Sequence, residues 1–332
     1  MDEPVRVGII GTGGLGTGLG RHVRDSERGS VVAVADVSEQ NRTQAAAELG
    51  VGPEARYEDY VEMLDAGGLD AVIIATPHTL HYEQVVAAME AGLDVLCEKP
   101  LTTDLDDARD LVERSRGDQV LMVGYQRHIR PPYVMARDRL RETGETPKFI
   151  TAEITQPWLD NQLGEWRMDP DLSGGGQLYD TGSHLVDAVL WTTGLTPTAV
   201  SAEMVFYDDD QRVDTQAMLS VEFESETVAN ISVSGDAPQV REHIHIWSDA
   251  GAVYLDATDW NPHRPTFIEP DSTEVSPPLG DPPYENKIEA FLESVVERTE
   301  PPATAEDAFY VTAVTEAAYE SARTGERVEV SL

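Results

Sequence analysis

The chain has 332 residues, 40% of them hydrophobic, and its 61 acidic and 24 basic residues give a formal net charge of -37. A single hydrophobic core stops growing at roughly 250 residues, so this length predicts two domains. The negative charge argues against nucleic acid or an anionic membrane surface as a partner, and no apolar run approaches the ~20 residues of a membrane span, so we expect a cytoplasmic protein.

The first 125 residues alternate short apolar runs with amphipathic stretches, which is typical of a parallel sheet covered on both faces by helices. Strands are predicted at 5–10, 31–36, 71–75, 94–97 and 120–124, and helices at 40–49, 79–91 and 105–116. This alternation predicts a doubly wound Rossmann domain over residues 1–125.

The pattern changes after Arg130-Pro131-Pro132, where we place the start of a second α/β domain over residues 126–332. Helices are predicted at 133–141, 185–191, 284–299 and 305–323, and strands at 148–156, 199–207, 216–223, 227–233, 240–247 and 252–255. Short polar turns between consecutive strands favour a largely antiparallel sheet. The proline-rich residues 262–283 are predicted to form a surface excursion.

A glycine-rich motif, GxGxxG, lies between the first predicted strand and a helix, where such a motif holds a dinucleotide. Its residues are Gly11, Thr12, Gly13, Gly14, Leu15 and Gly16. The first glycine allows a tight turn, the second lets the backbone approach the pyrophosphate, and the third lets helix and strand pack closely.

The choice between NAD and NADP depends on Asp36, which ends the second predicted strand. A carboxylate there can accept both hydroxyls of the adenosine ribose, which favours NAD. A 2′-phosphate about 4 Å away would be repelled by ~1 to 4 kcal/mol. Arg42 could compensate for that repulsion, so NADP remains a possible cofactor.

Lys99 lies in the run Cys97-Glu98-Lys99-Pro100, which closes a predicted strand at the carboxyl edge of the sheet, where doubly wound folds bind ligands. The chain contains only three lysines, Lys99, Lys148 and Lys287. Retaining one beside the ligand crevice indicates a need for a compact ammonium, although a surface ion pair is the alternative. We expect Cys97 to be buried and not nucleophilic.

A second cluster follows the glycine triplet 174–176, where Asp180, His184 and Asp187 are predicted to share one face of a helix. Asp180 can orient a substrate hydroxyl while His184 accepts its proton and Lys99 stabilises the resulting alkoxide. A zinc site is disfavoured because the cluster has few soft ligands and no thiolate, so we predict no metal.

The lysine-poor, acid-rich composition resembles that of proteins from halophiles. The motifs GTGGLG, ATPHTLH (residues 75–81), CEKP and GGGQLYDTGSHLVD (residues 174–187) resemble, in this order and over nearly the whole chain, the Gfo/Idh/MocA oxidoreductases. The resemblance implies a Rossmann domain followed by an α/β domain with a large, mostly antiparallel open sheet, often used for dimer or tetramer contacts. We therefore expect a homodimer or homotetramer.

Carried over by motif, Lys99, Asp180 and His184 are implied as the catalytic residues, with either the histidine or the lysine accepting the proton. The resemblance also implies cofactor contacts from Thr76, Pro77, His81, Glu98 and Gln126, and substrate contacts from Arg127, Trp158, Trp166 and Arg167. His78 could lie along the cofactor or in solvent, and His128 and Tyr179 are further candidates for the pocket.

The leading hypothesis is an NAD(P)-dependent dehydrogenase that transfers hydride from a secondary alcohol of a sugar, sugar acid or inositol-type polyol. One alternative is a glycoside hydrolase that oxidises its substrate transiently and recycles a tightly held NAD. Another is an NAD-binding regulator without turnover, which the presence of Lys99, Asp180 and His184 together argues against.

Overall fold

In the computed structural model, which describes residues 3–332, the chain divides into two compact units. The first unit contains residues up to Thr102, Asp106–Gln126 and Tyr284–Glu306, and the second contains Thr103–Leu105, Arg127–Pro283 and Asp307–Leu332. Within residues 3–332, no helix combines the length and the apolar character that crossing a membrane requires.

The first unit is built on six short strands, of which β4, β5 and β6 are wholly buried. The strands are β1 (Val5–Ile10), β2 (Gly29–Ala35), β3 (Arg56–Tyr57), β4 (Ala71–Ile74), β5 (Asp94–Cys97) and β6 (Leu121–Val123). They form a parallel sheet in the order β3-β2-β1-β4-β5-β6, which is the Rossmann order. The predicted fold class is confirmed for this unit.

Helices connect these strands and cover the sheet. They are α1 (Gly14–Asp25), α2 (Glu39–Leu49), α3 (Tyr60–Ala66), α4 (His81–Glu90) and α5 (Leu105–Arg114). A further helix of this unit, α10 (Lys287–Glu297), comes from late in the chain and packs against α1 and β1. The sequence places this helix in the second domain, and the structure differs because an amphipathic pattern marks a buried face without showing what covers it.

The second unit begins with helices and one strand. These are α6 (Pro131–Thr143), β7 (Phe149–Thr155), α7 (Trp158–Gln162), α8 (Pro170–Ser173) and α9 (Ser183–Thr193). The later strands are β8 (Pro197–Phe206), β9 (Asp214–Phe223), β10 (Val228–Ser234), β11 (Arg241–Ser248), β12 (Gly251–Thr258), β13 (Asn261–Pro262), β14 (Thr266–Ile268) and β15 (Glu274–Val275). The chain ends with α11 (Ala305–Thr324) and β16 (Val328–Glu329).

These strands form one large sheet in the order β15-β14-β12-β11-β7-β10-β9-β8-β16, with β13 paired to β12. Every pairing is antiparallel except that between β7 and β10, so the predicted, mostly antiparallel sheet is confirmed. Residues 262–283 are not wholly irregular, because β14 and β15 extend one edge of the sheet. Prolines are tolerated at edge strands, and in this segment they obscure the sequence pattern by which the strands could be recognised.

Candidate active site

The glycine motif forms the turn between β1 and α1. Gly11 has a φ of +84°, and a Cβ on it would lie 2.7 Å from the carbonyl oxygen of Ala75. A Cβ on Gly16 would lie 1.9 Å from the carbonyl oxygen of Gly11, whereas Gly13 and Gly14 face open space. The loop is therefore closed on the protein side and open at the N-terminus of α1, which fits a dinucleotide pyrophosphate.

Asp36 follows β2 and is fixed by the glycine loop. Its carboxylate accepts hydrogen bonds from the backbone N–H groups of Thr12 at 2.7 Å and Ser38 at 2.8 Å. Arg42 donates to the backbone carbonyl of Asp36 and lies 4.0 Å from Glu58. The carboxylate thus lies where an adenosine ribose would bind, with a guanidinium beside it.

His81 is fully buried, with its ring between two backbone carbonyls. Nδ1 lies 2.7 Å from the oxygen of Pro100, and Nε2 lies 3.0 Å from the oxygen of Thr76. Burial lowers its pKa, against the opposing effect of these carbonyls. His81 therefore ties the loop after β4 to the residue after Lys99, which argues for an internal role in place of the expected cofactor contact.

The other residues expected along the cofactor are less enclosed than His81, except His78. Thr76 and Pro77 are half-buried, and the hydroxyl of Thr76 donates to Gln84 at 2.6 Å. His78 is 3% exposed, which excludes the solvated position considered for it. Gln126, half-buried, lies on the 3-10 turn Gln126–Ile129.

Glu98 and Lys99 leave β5 at the carboxyl edge of the sheet. Glu98 is 4% exposed and forms an ion pair with Lys287, the first residue of α10. Lys99 is half-buried between buried neighbours. Cys97 is fully buried, and burial raises the pKa of its thiol well above the usual value, which opposes nucleophilic chemistry.

In the second unit, Asp180 lies on a π-helical turn, Leu178–Gly182, that leads into α9. Its Oδ2 accepts hydrogen bonds from the indole N–H of Trp158 at 2.8 Å and from Nε of Arg167 at 2.9 Å. Arg167 also stacks on Trp166, 4.4 Å from the ring centroid. The structure brings these four predicted site residues together.

Trp158 is 2% exposed, so it acts here through its N–H rather than as an open wall for a ligand. His184 begins the first turn of α9 after Ser183 and is half-buried among buried neighbours. π-Helical turns are rare, and many of those that are found lie at functional sites.

Asp187 has a partner of its own. It is fully buried and lies 2.9 Å from Nε2 of His128, whose ring stacks on Trp191. Burial raises the pKa of Asp187, and His128 partly offsets this rise. Asp180, His184 and Asp187 were expected on one face of a helix; Asp180 instead lies on the π-turn before α9, and the two carboxylates bind different partners.

Arg127 is buried and pairs with Glu242 of β11 while also contacting the hydroxyl of Tyr133. Although burial alone disfavours its charge, Glu242 holds the pKa of Arg127 above the usual value. With its guanidinium bound inside the second unit, Arg127 does not fit the expected role of a substrate contact. The presence of an arginine in a motif predicts that its charge has a partner, but it does not show whether that partner is a substrate or another side chain.

Two residues that the sequence did not reveal hold the glycine triplet. Tyr319 of α11 donates to Asp214 and accepts from the N–H of Gly176, and Asp214 also accepts from the N–H of Leu178 at 3.0 Å. Tyr179, also buried, contacts the ring of Tyr319. Among residues 3–332, no group of three or more His, Cys, Asp or Glu side chains is arranged to hold a metal ion.

Comparisons with known families and proteins cover both units. Residues 5–125 match the oxidoreductase family with an NAD-binding Rossmann fold, and residues 141–254 match the GFO/IDH/MocA C-terminal domain. D-xylose 1-dehydrogenase (NADP(+)) 2 of Haloferax volcanii is 29% identical over 97% of this chain and 99% of the relative. scyllo-Inositol 2-dehydrogenase (NAD(+)) of Bacillus subtilis is 30% identical over 72% of this chain and 69% of the relative.

Solved structures extend the likeness of fold to the whole chain. The aldose-aldose oxidoreductase of Caulobacter crescentus superposes with a TM-score of 0.85 at 22% identity, covering 98% of this chain and 100% of that structure.

Proposed function

Since this chain belongs to the GFO/IDH/MocA family of NAD-binding oxidoreductases, we propose that it oxidises a secondary alcohol of a sugar, sugar acid or inositol-type polyol. The relatives named as D-xylose and scyllo-inositol dehydrogenases support this substrate class. The observation that carries the proposal is the anchored carboxylate of Asp180, four residues before the half-buried His184.

The first unit binds the dinucleotide through the open turn at Gly13 and Gly14 and through Asp36. The carboxylate of Asp36, fixed by Thr12, favours NAD because it can accept the ribose hydroxyls and repels a 2′-phosphate. NADP is the alternative cofactor, because Arg42 lies beside Asp36 and its guanidinium can compensate the charge of a 2′-phosphate. The nicotinamide ring, when bound, supplies the hydride acceptor.

The polar residues implied by the motifs have separate tasks in this reaction. The ammonium of Lys99 stabilises negative charge on the reacting oxygen. Asp180, with one carboxylate oxygen held by Trp158 and Arg167, orients a substrate hydroxyl, and His184 accepts the proton. Trp166, stacked with Arg167, gives the amphipathic surface that suits a polyhydroxylated ligand.

The experiment is a screen of pentoses, hexoses, inositols and sugar acids with NAD and NADP in molar KCl, following NADH absorbance. We expect Lys99→Ala to lower kcat by ~100-fold or more while NADH binding is retained. Lys148→Ala is the matched control, because Lys148 forms only an exposed pair with Asp249. Full activity of Lys99→Ala would refute the role of Lys99.

A further inference from the structure

Helix α10 is attached to strand β5 at both of its ends. Lys287, its first residue, pairs with Glu98 immediately after β5, and Arg298, immediately after the helix, pairs with both oxygens of Asp94 at 2.7 and 2.8 Å, where β5 begins. The start of α10 is therefore paired with the end of β5, and the end of α10 with the start of β5. The strand that delivers Lys99 is held by a segment nearly 200 residues later in the chain.

The pair between Lys287 and Glu98 is enclosed. The exposed fraction of the side chain is 14% for Lys287 and 5% for Glu98. A Cβ on Gly124, at the end of β6, would lie 2.8 Å from Oε2 of Glu98, so the carboxylate is packed between the strand end and the ammonium. The start of α10 is itself fixed, because Asn286 accepts hydrogen bonds from the N–H groups of Ile288 and Glu289.

We infer that Lys287 is a positioning residue for hydride transfer, which neutralises the buried carboxylate of Glu98 and thereby fixes the end of β5 that leads to Lys99. Burying a carboxylate without a partner is strongly unfavourable, so the chain around it rearranges to expose it to water or to pair it again. Glu98 precedes Lys99 directly, so such a rearrangement in the absence of Lys287 would displace Lys99 from the substrate oxygen. This inference rests on the proposed function of Lys99.

The test compares wild type with Lys287→Met, Lys287→Arg, Glu98→Gln and the double variant Glu98→Gln/Lys287→Met. Lys148→Met controls for loss of a lysine that pairs on the surface. We expect Lys287→Met to lower kcat by about 10- to 100-fold with a smaller change in KM, and to weaken NADH binding, measured by fluorescence titration, about tenfold. Lys287→Arg should retain most activity, because it keeps the charge.

The double variant decides the mechanism, since it leaves neither charge unpaired. We expect its kcat to match that of Glu98→Gln and to exceed that of Lys287→Met, because no buried carboxylate is left unpaired at this position. A kcat more than tenfold below that of Glu98→Gln would overturn the inference, even if Lys287→Met alone does not fold. Unaltered kcat and NADH binding in a folded Lys287→Met would overturn it too.

Failure of the inference is distinguishable from failure of the proposed function. If wild type binds NADH but oxidises no compound of the panel, the proposed function fails. If wild type turns over and Lys287→Met behaves like Lys148→Met, only the role of Lys287 fails.

Discussion

Most carboxylates buried in this acidic chain lie beside a basic side chain. Asp94 pairs with Arg298, Glu98 with Lys287, Glu242 with Arg127 and Asp180 with Arg167, and Asp187 lies beside His128. Asp214 differs, because the hydroxyl of Tyr319 and the N–H of Leu178 bind it, and neither carries a charge. Burial raises the pKa of Asp214 to about 6, with these hydrogen bonds opposing the rise.

We predict that Asp214→Asn alters how stability depends on pH. The pKa of Asp214 is higher in the folded protein, about 6, than the unfolded value of ~3.9, so between these values the folded state binds more protons. The free energy of unfolding of wild type should therefore fall, relative to the variant, by roughly 1 kcal/mol from pH 5 to pH 8. Denaturant titrations in molar KCl measure this difference, and parallel curves would contradict it.

Lys287 shows what sequence reasoning at the level of residues can and cannot find. The scarcity of lysine points equally to Lys99, Lys148 and Lys287, yet Lys148 forms an exposed pair and Lys287 a buried one. Only Lys99 stands in a motif that gives it a location. The partner of Lys287 lies 189 residues away, and no local pattern encodes that contact.

Among the elements, α1 carries four glycines, and two of them, Gly16 and Gly18, differ in their surroundings although they are two residues apart. A Cβ on Gly16 would lie 1.9 Å from the carbonyl oxygen of Gly11, whereas a Cβ on Gly18 would meet nothing within 4 Å. Packing of the helix start against the glycine turn therefore requires glycine at position 16. At position 18 nothing requires it, and there glycine only lowers the stability of the helix.

This contrast gives a matched pair of variants. We predict that Gly16→Ala weakens NADH binding at least tenfold, because the backbone of the turn must move. Gly18→Ala should leave binding unchanged and raise the free energy of unfolding by ~0.5 to 1 kcal/mol, since alanine is the better helix former. Fluorescence titration with NADH and thermal unfolding measure both effects, and equal NADH affinity of the two variants would contradict the assigned role of Gly16.

The longer strands and helices were predictable because their apolar periodicity is local, whereas the two- and three-residue strands of the large sheet and the π-turn at Leu178–Gly182 were not. A Cβ on Gly176, just before that turn, would lie 2.0 Å from the carbonyl oxygen of Asp214. The turn therefore depends on close approach to β9, a contact between distant parts of the chain. The glycines marked the place as unusual without specifying the conformation.

At the scale of the whole molecule, the order of elements predicted both sheets, while the path of the chain between the units was not predictable. Residues 284–306 belong to the first unit, although in the chain they come after every strand of the large sheet except β16. Helical periodicity places a helix there and marks its buried face, whereas the ion pairs at its two ends are non-local. The chain thus returns to the first unit after the predicted domain boundary at residue 125.

We expect the net charge of -37 to make stability depend on salt. With 61 acidic and 24 basic residues, most surface carboxylates repel one another, and exposed pairs such as Arg327–Glu222 offset little of this repulsion. The Debye length is ~30 Å at 0.01 M salt and ~3 Å at 1 M, so only the second condition screens neighbouring charges. Repulsion in the compact state should therefore lower its stability in dilute buffer.

We accordingly predict that Tm falls when the protein is moved from molar KCl to dilute buffer, and that molar NaCl restores it as well as KCl does. Asp209→Asn/Asp210→Asn, which removes two exposed charges beside Asp208, should make this fall smaller. Sucrose at equal osmolality is the control, because it changes protein solvation without screening charge. Equal Tm values in dilute buffer and molar KCl would show that carboxylate repulsion does not limit the stability of this fold.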